Sequence, residues 1–103
     1  MKNVSAVILI SVGLLASGAV SASEELAKSK NCLTCHGVEQ KVLGPGFKEV
    51  AQKYAGQPDA VAKLAEKILK GGSGAWGQIP MPPNPKVSPE EANKLVEWIL
   101  GLK

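Results

Sequence analysis

Cys32-Leu33-Thr34-Cys35-His36 is the stretch of this 103-residue chain whose residue types and spacing carry the sharpest chemical signal. Two thiols at this spacing can add to the two vinyl groups of one porphyrin. The histidine beside the second thiol is then placed to coordinate the iron from the same face, which is the c-type haem attachment pattern. Other chemistries use parts of the motif. A bare C-x-x-C serves as a thioredoxin-like redox pair, but in a βαβ setting, and no alternating strand pattern is present here. A structural zinc site wants four ligands, and two cysteines with one histidine supply three. A plain disulfide remains open for an exported protein. Covalent attachment of one haem is the expectation.

Iron held this way needs a sixth ligand or an open site. His36 is the only histidine, and the two methionines are Met1 and Met81. Once an N-terminal leader is removed, Met81 is the single thioether, and it is predicted as the sixth ligand. An isolated methionine is more often core filler. That reading weakens at Met81, which stands among Pro80, Pro82, Pro83 and Pro85, where the backbone is restricted and cannot be helical. A closed sixth position suits electron transfer, because it leaves no coordination site for oxygen or peroxide.

Three further residues are candidates to surround the haem. A metal-bound histidine normally donates its other ring N–H to an acceptor. The Pro45 carbonyl, in the Gly44-Pro45-Gly46 turn nine residues after His36, could accept it, and a simple turn is an equal alternative. The Trp76 indole N–H could reach a propionate, although a tryptophan beside an attached haem is packing first. Asn84 could hydrogen-bond the Met81 sulfur or merely make a turn. Trp98 reads as core.

These residues must be carried by a small scaffold. Val4 to Ala22 hold 13 apolar side chains and no charge, follow Lys2, and close on Val20-Ser21-Ala22. That is a signal-peptide pattern, so residues 1–22 are expected to be cleaved and residues 23–103 to form a single exported domain. An uncleaved anchor is the rival reading. The domain has four aromatics, Phe47, Tyr54, Trp76 and Trp98, a thin core for a chain that buries only about 60 % of its unfolded surface and needs a staple. Its 11 lysines against 9 acidic residues are too dispersed for a nucleic-acid footprint.

Four segments have helical spacing: Glu24 to Asn31; Phe47 to Tyr54; Val61 to Leu69; and Pro89 to Leu102, which opens with Ser88 as N-cap, Pro89 at the first helical position and Glu91 three residues after the cap. The chain is expected to be all-α with long ordered loops. The longest runs from Gly71 to Ser88, about 18 residues, a length that points to a segment wrapped round something or carrying function.

Over essentially its whole mature length the chain resembles the short class I bacterial cytochromes c of the cytochrome c-551/c-552 type. The matching stretches are Leu26-Ala27-Lys28, the attachment motif, Leu43-Gly44-Pro45, Gly71 to Gly77, Ile79-Pro80-Met81-Pro82-Pro83-Asn84, and Trp98-Ile99-Leu100. The resemblance implies a fold of about four short helices and long loops wrapped round one covalently attached haem. It implies thioether bonds from Cys32 and Cys35, His36 and Met81 as axial iron ligands, and the Pro45 carbonyl as acceptor for His36. It also places Trp76 at a propionate and Asn84 near the methionine sulfur. Some relatives have arginine where Lys67 stands, and the loop after Asn84 is one residue longer than in some members.

The function expected is that of a soluble, monomeric periplasmic electron carrier and not an enzyme, with no nucleic-acid partner and no stable membrane insertion after cleavage. Its partners would be redox proteins such as a nitrite reductase, a terminal oxidase, a cytochrome c peroxidase or a bc-type complex. Lys28, Lys30, Lys41, Lys48 and Lys53 are candidates for a basic rim round an apolar docking centre. The competing functions are a small haem peroxidase or gas sensor with a displaceable sixth ligand, and a disulfide-stapled binding module. The chain has no second histidine and no arginine for a distal acid–base group.

Overall fold

A computed structural model describes residues 21–103; the expected leader, apart from its last two residues, lies outside them. Five helices and one small hairpin follow in order: α1 Ala22–Ser29, α2 Cys32–Cys35, α3 Phe47–Lys53, α4 Ala60–Lys70, β1 Gly72–Gly74, β2 Gly77–Met81 and α5 Pro89–Leu100. Among the described residues no helix is long and apolar enough to cross a membrane.

Helix α1 starts where local chemistry dictates. The Ser21 hydroxyl accepts the Glu24 amide at 3.1 Å, and Glu24 and Glu25 face the positive end of the helix while Lys28 lies in its last turn. Its end departs from the periodicity. The first helix was expected to run to Asn31, but Asn31 adopts a left-handed conformation (φ 62°, ψ 19°), which asparagine tolerates better than most residues. The chain therefore breaks and begins again as the one-turn α2, which carries both cysteines. Helix α5 begins as its sequence predicts. Ser88 Oγ accepts the Glu91 amide at 3.1 Å and the Glu91 carboxylate accepts the Ser88 amide at 3.0 Å, a closed capping box with Pro89 following the cap.

Helix α5 is the spine: α1, α3 and α4 all pack on it. Ala27 of α1, Ala65 and Ile68 of α4, Val87, and Ala92, Leu95 and Val96 of α5 form one buried cluster; Phe47 and Val50 of α3 with Ile99 form a second. Among the described residues only Leu95 and Val96 are large side chains shut almost completely away from solvent, so the core is as thin as the composition indicates.

The segment between α4 and α5 corrects the expectation of a strand-free chain. Its first part is an antiparallel hairpin pairing Gly72 with Met81 and Gly74 with Gly77. Sequence pattern conceals it because nearly every hairpin residue is exposed, which removes the inside–outside alternation that marks a strand. The backbone is shaped instead by glycines: Gly72, Gly74 and Gly77 all have φ above 100°, values closed to other residues. The fold is mostly helical, with five helices among the described residues where about four were expected.

Candidate functional site

His36 directly follows α2, and its backbone amide closes that turn on Cys32 O at 3.0 Å. The loop after it folds straight back. Leu43 and Gly44 both donate their amides to Cys35 O, at 3.1 and 2.8 Å, and Phe47 donates to Gly37 O at 2.9 Å. This fold-back brings Pro45 to the imidazole, whose Nδ1 lies 2.7 Å from the Pro45 carbonyl oxygen. A carbonyl only accepts, so Nδ1 carries the proton. Nε2 is then left as the ring nitrogen available to bind a metal.

Two neighbours hold the ring in place. Phe47 stacks on it, with centroids 5.0 Å apart and planes 21° from parallel. Phe47 is in turn met edge-on by Trp98 at 5.5 Å, which gives Trp98 the packing role its helix position predicts. On Gly44 a Cβ would lie 2.5 Å from His36 Cε1 and 2.8 Å from Nδ1, so only glycine leaves the imidazole room. No pattern in the sequence marks Phe47 as a partner of His36.

His36 opens into a cavity of about 440 Å³, within the range of small-molecule and cofactor sites. Cys35, Pro45, Trp76 and Met81 also line it, with apolar walls from Leu43, Phe47, Val50, Leu64, Ile68, Ile79, Val96 and Ile99. Of the predicted haem-binding residues, five therefore border one apolar space although they come from three separate stretches of chain. Cys32 does not line the cavity and packs against the core. Burial pushes its thiol above the ordinary value and the nearby Cys35 adds to this, with a backbone hydrogen bond pulling the other way. The two thiols are not joined as a disulfide.

The remaining predicted residues sit near the cavity with contacts the sequence does not reveal. Trp76 is 40 % exposed and lies under the Lys53 ammonium, 4.7 Å from the ring centroid, a cation–π contact; Lys53 also donates to the Ala75 carbonyl at 3.0 Å. Asn84 sends its amide nitrogen to the carbonyls of Ile68 at 2.9 Å and Pro82 at 3.4 Å. Lys67 lines the cavity.

The lysine rim is thinner than expected. Lys48 pairs with Glu39 at 3.0 Å, and Lys30 donates to the Lys86 carbonyl at 2.8 Å and lies 3.6 Å from Glu91. With Lys53 engaged at Trp76, only Lys28 and Lys41 of the five candidates lack an ion pair or hydrogen bond among the described residues. Beside Lys41, Val42 and Leu43 are each 57 % exposed, and Ile79 is 65 % exposed; Lys41, Leu43 and Ile79 all border the cavity.

The donor set fits a haem. One imidazole has its tautomer fixed, one thioether shares the same apolar cavity, and the thiols stand on the turn before the histidine. Comparison with known proteins agrees. The family model described as Cytochrome c matches residues 20–103. Cytochrome c-552 of Nitrosomonas europaea is 54 % identical over 90 residues, covering 87 % of each chain. Cytochrome c-551 of Pseudomonas aeruginosa is 47 % identical over 105 residues, covering 100 % of each. The crystal structure of the Nitrosomonas europaea cytochrome c552 matches this fold with a TM-score of 0.75 at 57 % identity, covering 77 % of this chain and 98 % of that one.

Proposed function

The chain belongs to the cytochrome c family, whose covalently attached c-type haem is its cofactor, and on that premise we propose that it is a periplasmic carrier of single electrons with His36 and Met81 as axial ligands. When bound, the haem supplies a ferric/ferrous couple. The protein's own residues determine how that couple behaves. Cys32 and Cys35 would anchor the macrocycle through thioethers. His36 offers Nε2 because Nδ1 donates to Pro45 O at 2.7 Å, and this bond raises the basicity of the ring as a ligand. Met81, between Pro80 and Pro82 at the end of β2, offers its sulfur from a backbone with little freedom, so ligation changes little between oxidation states. Trp76, which borders the cavity, would meet a haem propionate, and Lys67, which also borders it, is the nearest cation that could join it.

The observation that carries the reading is the 2.7 Å His36–Pro45 contact in a cavity that Met81 also lines. Electrons would leave where the cavity border is exposed and apolar, at Leu43 and Ile79, with Lys41 as the free cation beside them. A redox partner such as a nitrite reductase, a terminal oxidase, a cytochrome c peroxidase or a bc-type complex would dock there through a weak, salt-sensitive contact. Residues 1–22 would direct export and be removed, which would take Ser21 and Ala22 from the start of α1.

One set of measurements tests this. The haem-loaded protein, expressed in a host that attaches c-type haem, should keep its haem through acid–acetone extraction and show the weak near-red ferric band of a thioether ligand. Met81→Ala should abolish that band and lower the midpoint potential, because a thioether favours the ferrous state. An unchanged spectrum in that variant would refute Met81 as ligand.

A further inference from the structure

The hairpin of β1 and β2 forms one wall of the cavity through residues 72–77 and Ile79, yet little holds that wall in place. Among the described residues neither strand packs broadly on a helix. A Cβ added at Gly74 or Gly77 would meet no atom within 4 Å, so the backbone at the turn stands clear of its surroundings. Between those glycines lie Ala75 and Trp76. A segment with so few packed contacts opens locally unless something fastens its tip.

Lys53 supplies the fastening. It is the last residue of α3 and lies 22 residues before Ala75 in the chain. Its root is rigid: Val50 and Ala51 are buried, the Tyr54 amide closes the helix on Val50 O at 3.1 Å, and Gln57 Nε2 donates to Lys53 O at 3.3 Å. The ammonium reaches across to the tip and makes two contacts there, donating to Ala75 O at 3.0 Å and lying 4.7 Å from the Trp76 ring centroid. The hydrogen bond holds the backbone of the turn, and the cation–π contact holds the plane of the indole. Among the described residues no other hydrogen bond reaches residues 72–80 from outside the hairpin. Lys67 does not duplicate this role, because its ammonium lies at the base of the hairpin, 2.7 Å from where a Cβ on Gly72 would stand.

We propose that Lys53 is a positioning residue for Trp76, latching the hairpin tip to α3 and so closing that wall of the cavity on the edge of the cofactor. This rests on the cavity holding the haem. With the latch shut the indole keeps one orientation and water is kept from that edge; without it the tip opens while the helices stay closed. The exposed side chain of one lysine thus governs how the far wall of the site moves.

The test is exchange of the Trp76 indole N–H with water, followed by NMR in the haem-loaded ferrous protein. The Trp98 indole is the internal reference, since Trp98 packs on Phe47 and not on the hairpin. Lys53→Met keeps an unbranched stem and removes both cation and donor, so Trp76 exchange should quicken about tenfold, the loss of an exposed cation–π contact and one hydrogen bond. Trp98 should stay within about twofold of the parent, as surface substitutions elsewhere in a domain allow. Lys53→Arg restores a cation and a donor and should bring Trp76 back to within about twofold of the parent. Lys28→Met removes a lysine from the last turn of α1 and should alter neither indole. Lys53 and Lys28 are both exposed, so none of these changes touches the core. Parent-like exchange in Lys53→Met, equal quickening in Lys28→Met, or no recovery in Lys53→Arg overturns the latch. A parent protein that retains no covalent haem overturns the cofactor reading, and the proposal with it, before any variant is compared.

Discussion

Replacing Gly44 with alanine should raise the midpoint potential and weaken the fold together, and the structure gives the size of both effects. The new Cβ would lie 2.5 Å from His36 Cε1, 2.8 Å from Nδ1 and 3.1 Å from Nε2. Carbon contacts are comfortable from about 3.5 Å, so ring and loop must separate by roughly 1 Å. The loop resists, since the Leu43 and Gly44 amides are both bound to Cys35 O at 3.1 and 2.8 Å. The imidazole must give way instead. Moving it that far stretches the 2.7 Å Nδ1–Pro45 contact beyond hydrogen-bond range. Forcing a methyl into a packed site costs about 1–3 kcal/mol and the lost bond about 1 kcal/mol more, so guanidinium unfolding should show a loss of about 2–4 kcal/mol. A ring that no longer donates from Nδ1 is a poorer base and stabilises ferric iron less. Such changes alter metal affinity about tenfold or more; tenfold on the ferric form alone is about 59 mV for one electron. Potentiometric titration should therefore find the variant's potential higher by several tens of millivolts. A potential within about 10 mV of the parent would show that the Pro45 contact does not tune the ligand.

Five other outcomes follow from the packing and the surface. Leu95→Ala, at one of the two fully buried large side chains, should cost about 2–5 kcal/mol in chemical denaturation. Ser88→Ala opens the capping box and should cost about 1 kcal/mol. The same box holds the Glu91 carboxyl below its usual value, chiefly through the Ser88 amide and then through Lys30. Because the folded value is depressed, that contribution is present above the ordinary glutamate range and fades as pH falls through the folded value; Glu91→Gln should thus lose stability at neutral pH and converge on the parent in acid. Ile79→Asp should slow electron transfer to a protein acceptor without altering the spectrum. Lys41→Glu should flatten the decline in rate with rising salt, as stopped-flow kinetics at several ionic strengths would show.

The residues proposed to hold the haem are legible because covalent and coordinate chemistry dictates their types. Cys32, Cys35 and His36 announce themselves by spacing, and Met81 by being the sole thioether of the mature chain. The Pro45 contact was one of two even readings of a turn until the structure placed its carbonyl 2.7 Å from Nδ1. What escaped was whatever depends on backbone conformation alone. The hairpin from Gly72 to Met81 has no apolar alternation, since it has almost no buried face. The break at Asn31 falls inside a helical pattern and is made by one residue with φ 62°. Asn84 was expected near the Met81 sulfur or in a turn, and its Nδ2 contacts to the Ile68 and Pro82 carbonyls were not foreseen, because only the fold reveals which acceptors a helix end leaves open. Lysine positions misled in the same way: counted along the chain they form a rim, but Lys30, Lys48 and Lys53 are already engaged.

Helices α1 and α5, which pack together in one cluster through Ala27, Ala92, Leu95 and Val96, come from opposite ends of the domain. Lys30 ties the same two regions again through the Lys86 carbonyl at 2.8 Å. A nascent chain therefore cannot close its core until its final helix has been synthesised, because contacts of such long sequence separation form only after the intervening loop is ordered. The polypeptide stays open during translation and any passage across a membrane, with both thiols still within reach of an attachment enzyme. On the proposed reading, a porphyrin held at Cys32, Cys35 and Met81 would be a cross-link between the early and late parts of the chain and would shorten the loop that α5 must close.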